Sequence, residues 1–265
     1  MTEEHLLVEK DGHVLTLRMN RPERKNAFSP NMLGRMAEAW ERADADDEIR
    51  CVILTGSDTV FCAGADLKAM MGNPLPGDEY AERFAKDGDL AWRALLRHYR
   101  LTKPLIAAVE GPAIAGGTEI LQATDIRVAG ESATFGVAEV RRGLFPLGGS
   151  TVRLRRQLPY TLAAELLLTG KTITAAEALD YGLIGSVVPD GTAYARAREI
   201  ADTISANGPV AVRSVLRSLR ETEGLPEEEA LKVELEIGMP VFATEDAREG
   251  PRAFAEKRPA KFAGR

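Results

Sequence analysis

The chain has 265 residues, 45% of them hydrophobic, enough to bury one large core with at most a small appended element. A formal charge of -6 disfavours a general nucleic-acid binder, yet leaves room for a local basic cluster around a small anion. Cys51 and Cys62 have the spacing of neither a disulfide framework nor a zinc site, the acidic start lacks the apolar core of a secretory signal, and no apolar run approaches the ~20 residues that cross a bilayer. A soluble, cytoplasmic protein is expected.

Residues 6–8 and 14–19 read as two strands around Asp11-Gly12, a hairpin signal that ends at Asn20-Arg21-Pro22. Ser29-Pro30 then opens a helix predicted to run through Trp40, with serine as N-cap and proline in the first turn. Residues 51–55 form a short apolar run stopped by Gly56, a buried strand; residues 105–109, 126–128 and 187–188 read the same way. Helices are expected after Gly64, Gly116 and Ser150, and strands alternating with helices predict an α/β fold. Residues 78–100 are charged and helix-compatible. From about Ala193 the strand signal stops, and residues 192–206, 209–220, 226–237 and 245–254 read as four helices separated by glycine or proline. The expected division is residues 1–192 as α/β core and 193–265 as a helical C-terminal region, with no internal repeat.

Three segments carry candidate chemistry. In Phe61-Cys62-Ala63-Gly64-Ala65-Asp66-Leu67, small residues allow close backbone approach to a ligand, and a nearby helix start offers free N–H groups. A tight turn that binds nothing has the same composition. In the second, residues 103–119, a strand leads through small residues into Ala115-Gly116-Gly117-Thr118-Glu119. Gly116 and Glu119 are one helical step of three apart, so a backbone donor and a carboxylate share a face. That pairing suits chemistry in which an oxyanion forms while a proton moves. Glu119 also fits an ordinary first-turn glutamate, but Ile120, Leu121 and Ala123 mark the segment as buried, where a carboxylate needs a reason. In the third, residues 133–150, Glu139 stands among apolar residues, with Arg141 and Arg142 near enough in sequence to form a structural salt bridge with it.

Together these segments resemble the crotonase (enoyl-CoA hydratase/isomerase) superfamily, and within it enoyl-CoA hydratases of the actinobacterial type. The resemblance extends from Asn20-Arg21-Pro22 to Phe254-Ala255-Glu256-Lys257-Arg258. It implies a spiral of β-β-α units with C-terminal helices that mediate assembly into a homotrimer or a dimer of trimers. It further implies that the Ala65 and Gly116 amides bind the thioester oxygen as an enolate forms. Glu119 and Glu139 match the two glutamates that flank a single water in hydratases. By motif, Arg24, Lys25 and Lys68 fall where the family contacts coenzyme A, and Ala27, Ala63, Asp66 and Leu67 where it contacts adenine or pantetheine. Phe254 and Lys257 match positions that reach the coenzyme A of a neighbouring subunit, although a plain helix end with a solvated lysine reads the same. The implied activity is addition of water to a trans-2-enoyl-CoA, giving a 3-hydroxyacyl-CoA, as in fatty-acid or steroid side-chain β-oxidation. Coenzyme A enters with the substrate, so no cofactor, metal, nucleic-acid or membrane partner is implied.

Three positions depart from the family pattern. Ala115 and Thr118 replace residues that are often glycine and cysteine, and Leu147 replaces a glycine whose backbone helps place the water. Leucine there would be strained if the position needed a positive φ. The alternatives are a Δ3-Δ2 enoyl-CoA isomerase, a non-catalytic acyl-CoA-binding homologue, and an RNA-binding relative disfavoured by the charge. His5, His13 and His98 are scattered and assemble no histidine site. Met70, Met71, Phe84, Trp92 and Phe145 are candidates for the acyl pocket, or simply helix packing.

Overall fold

The turn at Asp11-Gly12 joins strand β1 (Leu6–Asp11) to strand β2 (Val14–Met19) in an antiparallel hairpin, with Gly12 supplying the positive φ. From β2 onward the sheet is parallel in this computed structural model, which describes residues 4–66 and 80–265. Strands β3 (Cys51–Thr55), β4 (Leu105–Val109), β6 (Ile126–Gly130) and β9 (Ser186–Val188) extend it in the order β1-β2-β3-β4-β6-β9. Both β3 and β4 are buried along their whole length, which is why they read as unbroken apolar runs. A second sheet pairs β5 (Pro112–Ile114) in parallel with β7 (Thr134–Gly136), which in turn pairs antiparallel with β8 (Thr172–Thr174). These three short strands carried no readable strand signal.

Helix α1 (Pro30–Ala45) starts as expected, the Ser29 side chain accepting from the Met32 amide. It runs past Trp40 because Ala43 keeps the buried stripe of Met32, Met36 and Trp40 going. The Trp40 indole N–H donates to the Ala94 carbonyl at 2.9 Å, tying α1 to the stretch ahead of β4. That stretch holds two short helices rather than one, α2 (Ala81–Lys86) and α3 (Leu90–Ala94), separated at Asp87-Gly88-Asp89. The helix expected after Gly64 falls on residues 67–79, outside the described residues.

Further along, α4 (Gly116–Leu121), α5 (Ser150–Gln157), α6 (Tyr160–Thr169) and α7 (Ala175–Asp180) lie between the strands. The four C-terminal helices are α8 (Ala193–Ser205), α9 (Pro209–Glu221), α10 (Glu227–Gly238) and α11 (Glu245–Ala255), within a residue or two of their expected bounds. Helix α8 lays Ala193, Ala197 and Ala201, at i, i+4 and i+8, against Cys51, Ile53, Ile106 and Val128 of the sheet. The α/β core therefore closes over residues on the C-terminal side of Val188.

What positions the site is a contact between two non-adjacent backbones. Cys62 forms a parallel bridge with Ala113: the Cys62 amide donates to Pro112 and the Ile114 amide donates to Cys62. Beyond the bridge, Gly64 packs against the Ala115–Gly116 backbone, which brings the neighbouring Ala65 toward Gly116. The approach is so close that a Cβ on Gly117 would lie 2.3 Å from the Cys62 carbonyl oxygen. Gly117→Ala is therefore expected to cost at least about 3 kcal/mol in urea unfolding, or to abolish soluble expression. A variant as stable as wild type would show that the two backbones are not locked together.

Candidate active site

Two small-residue turns meet at the site. Phe28 bonds both neighbours of Ala65, its amide donating to the Gly64 carbonyl and its carbonyl accepting from the Asp66 amide. This pattern turns the Ala65 N–H to the other side, where it has no acceptor among the described residues. Gly116 is the first residue of α4, so its N–H has no intrahelical partner either. A Cβ added to Gly64 would lie 3.0 Å from the Gly116 nitrogen, which fixes the two turns side by side. Two backbone donors left open in one place are what an oxyanion site requires.

The geometry before α4 has a cost. Ala115 adopts φ +55° and ψ -125°, a conformation strongly favouring glycine, while its amide donates to the Gly136 carbonyl at 2.7 Å. The substitution that looks small in sequence thus sits at a strained position. Thr118 reinforces the same turn, its hydroxyl donating to Ala113 and accepting from the Gly136 amide.

Glu119 is 6% exposed. Its Oε1 accepts from the Ser150 amide at 3.3 Å, and the Gly148 amide and Ser150 hydroxyl also hold the carboxylate. Gly148 is pressed against it, since a Cβ there would fall 2.7 Å from Oε2. Burial pushes the Glu119 carboxyl up from its ordinary range, and these donors, with the charge of Arg153, oppose that rise. Glu139 opens a 3-10 turn (Glu139–Arg142) after β7. The salt bridge to Arg141 or Arg142 does not form: both arginines are exposed, and the buried Glu139 Oε2 has no hydrogen-bond partner. Burial, followed by the nearby charge of Glu119, pushes Glu139 up to about 7. Two carboxyl groups thus face one another electrostatically, one solvated by protein donors and one hardly at all.

Leu147 has no positive φ; Gly149 takes that role at +120°. The loop is instead pinned from outside. Arg97 donates to the Leu147 carbonyl at 2.9 Å, and Arg153 reaches the Gly148, Leu96 and Arg97 carbonyls. The leucine side chain is exposed, so the departure at 147 adds an apolar surface without distorting the backbone.

The remaining candidates separate by position. Arg24 and Lys25 are exposed and form no salt bridge among the described residues, so both present a positive charge to solvent. Ala27 is buried and Ala63 half-buried beside them, joined by the Ala63 amide donating to the Lys25 carbonyl. Asp66 pairs with the buried Arg21 guanidinium at 3.3 Å, which ties its carboxylate to the Asn20-Arg21-Pro22 turn. Leu67 and Lys68, like Met70 and Met71, lie outside the described residues, as does the Phe84 side chain. Phe254 and Lys257 are exposed at the end of α11, remote in sequence from the two turns, with Lys257 at φ +53°. Trp92 lies under the Arg97 guanidinium and Phe145 is largely exposed. Sequence reasoning missed Arg21, Arg97, Gln122 and Arg153, and passed over Ser150 except as a helix start. A glutamine directly after the apolar run that ends α4 was the one available signal.

Relief of the strain at 115 is testable. Ala115→Gly is expected to raise stability by roughly 1 kcal/mol in urea unfolding, despite the greater freedom of glycine in the unfolded chain. A fall in stability would mean that Ala115 is not strained.

Residues 9–265 match the model of the family described as "Enoyl-CoA hydratase/isomerase". The chain is 61% identical to enoyl-CoA hydratase EchA19 of Mycobacterium tuberculosis (strain ATCC 25618 / H37Rv), over 98% of its own length and 96% of that protein's. It is 34% identical to (E)-benzylidenesuccinyl-CoA hydratase of Thauera aromatica, over 97% and 98% of the two chains. Among solved structures, an enoyl-CoA hydratase from Mycobacterium tuberculosis H37Rv superposes with a TM-score of 0.88 at 37% identity, covering 99% of this chain and all of that one. Sequence and fold agree along the whole length, and the chain belongs to the enoyl-CoA hydratase/isomerase family.

Proposed function

We propose that this chain is an enoyl-CoA hydratase in which Glu119 is the base and Glu139 the acid. The observation that carries the assignment is the unequal surroundings of the two carboxyl groups. Glu119 keeps backbone and hydroxyl donors that favour its ionised form, whereas the buried oxygen of Glu139 has none. As water adds to the β-carbon of a trans-2-enoyl-CoA, its proton passes to Glu119 and its oxygen bonds to carbon. The π electrons move toward the thioester oxygen, which the Ala65 and Gly116 amides stabilise, and Glu139 delivers a proton to the α-carbon. The pair holds one proton before and after, and its transfer back resets the site. This accounting favours hydration over isomerisation, which needs no second acid to supply water's partner proton.

Arg24 and Lys25, with Lys68, are proposed to meet the phosphates of coenzyme A, and Ala27, Ala63, Asp66 and Leu67 to frame the rest of it. Apolar side chains on α9, α10 and the following turn, including Leu219, Leu235, Met239 and Phe242, are exposed. They support assembly into a trimer or a dimer of trimers, in which Phe254 and Lys257 reach a neighbour's coenzyme A. No described helix is long and apolar enough to cross a membrane, which is compatible with the proposed cytoplasmic location. Fatty and steroid side-chain enoyl-CoAs are the proposed substrates.

The test is loss of the conjugated-enoyl absorbance with crotonyl-CoA, a medium-chain enoyl-CoA and a steroid enoyl-CoA. Glu119→Gln and Glu139→Gln should each lower kcat by roughly 10²-fold or more. Glu139 must be protonated to act, so kcat/KM should fall as the pH rises through about 7. Glu119 must be ionised, so kcat/KM should also fall on acidification. Acyl-CoA binding with no hydration of any of the three would overturn the proposal.

A further inference from the structure

Glu119 is backed by a hydrogen-bonded chain that neither the enolate site nor the two-acid chemistry in itself requires. Ser150 is fully buried and Gln122 is 3% exposed. The Gln122 Nε2 donates to the Ser150 hydroxyl at 2.9 Å and to the Thr118 carbonyl at 3.3 Å. That second bond sets the orientation of the amide, because a peptide carbonyl only accepts and must face the nitrogen. Ser150 Oγ therefore accepts a hydrogen bond from Gln122, and its own single O–H is left to donate to another acceptor. The Glu119 carboxylate is the acceptor it contacts, alongside the bond from the Ser150 amide. A second tie, from the Gln157 side chain to the Gln122 carbonyl at 2.9 Å, holds α5 against α4 so that the chain stays aligned.

Ser150 stands at the start of α5, immediately after Gly149 at φ +120°, so the turn aims both its amide and its hydroxyl at the same carboxylate. Gln122 follows α4 directly, three residues after Glu119, and closes the loop from the other side. Each donor presents the positive end of a dipole, and a carboxylate gains more from it than a neutral acid does. We infer that Ser150, oriented by Gln122, is a positioning residue that holds Glu119 in one orientation and in its basic form. The inference rests on Glu119 being the base of the proposed reaction. Glu139 has no counterpart to this chain, and the difference is what separates the two roles.

The test is the pH profile of kcat/KM for wild type, Ser150→Ala and Gln122→Met, with the double variant and Glu119→Gln as references. Ser150→Ala keeps the amide and loses the hydroxyl. It should lower kcat roughly tenfold with little change in KM, and move the acidic limb of the profile up by about one pH unit. Gln122→Met should cause a smaller shift in the same direction, and add nothing once Ser150 is alanine. If Ser150→Ala is too unstable to assay, the shift in Gln122→Met decides. Variants with lower thermal stability but an unmoved acidic limb would overturn the inference and leave only a structural tie between α4 and α5. Should Glu119→Gln keep wild-type activity, the two-glutamate reading fails and takes this inference with it.

Discussion

The close approach of two backbones, at residues 62–65 and 113–117, is the constraint on which the rest of the site depends. Each turn alone is an unremarkable strand end. Brought into register by the Cys62–Ala113 bridge, they leave the Ala65 and Gly116 amides open side by side and set the first turn of α4 beneath them. The approach excludes side chains, which is why Gly64, Gly116 and Gly117 cluster there. It also places Glu119 one turn into a helix whose start is already fixed, so donor and carboxylate cannot drift apart. The strain at Ala115 belongs to the same constraint: the chain must reverse sharply to leave β5 and enter α4.

With Glu119 buried, Glu139 half-buried and no cation among the described residues bonded to either, their surroundings decide which keeps the proton. Arg153, the nearest positive influence on Glu119, spends its hydrogen bonds on loop carbonyls and acts only at a distance. Glu119 is therefore stabilised mainly by dipoles, which are fixed by the fold and do not screen the site with a mobile charge. Glu139 faces burial and the Glu119 charge, both of which favour its neutral form, with only its own backbone amide opposing them. In the proposed mechanism a pair of identical side chains thereby takes opposite duties from position alone.

Much of this was legible in the sequence. The hairpin turn, the Ser29 cap, the buried parallel strands and the C-terminal helices follow from local rules of turn chemistry, capping and periodicity. The strands β5, β7 and β8 did not, because three residues are too few to show a period and their pairing is long-range. Glu119 and Glu139 could be singled out as carboxylates in apolar settings, and the resemblance supplied their partnership. Their inequality could not be read, since it arises from Ser150, Gly148 and Gln122, which reach Glu119 only through tertiary packing. Likewise Arg141 and Arg142 look like partners for Glu139 in sequence, but the 3-10 turn points them to solvent. The Leu147 question turned on a backbone angle, and Gly149 rather than residue 147 carries the special one.

The central claim is that near neutral pH the resting site holds one proton, on Glu139. It is tested most directly by a carbon-13 NMR titration of the glutamate carboxyl groups in uniformly glutamate-labelled protein, with the two signals assigned from Glu119→Gln and Glu139→Gln. The account predicts that Glu139 titrates at about 7 while Glu119 stays ionised to lower pH. Glu139 already ionised at pH 5, or Glu119 holding its proton to higher pH than Glu139, would contradict it.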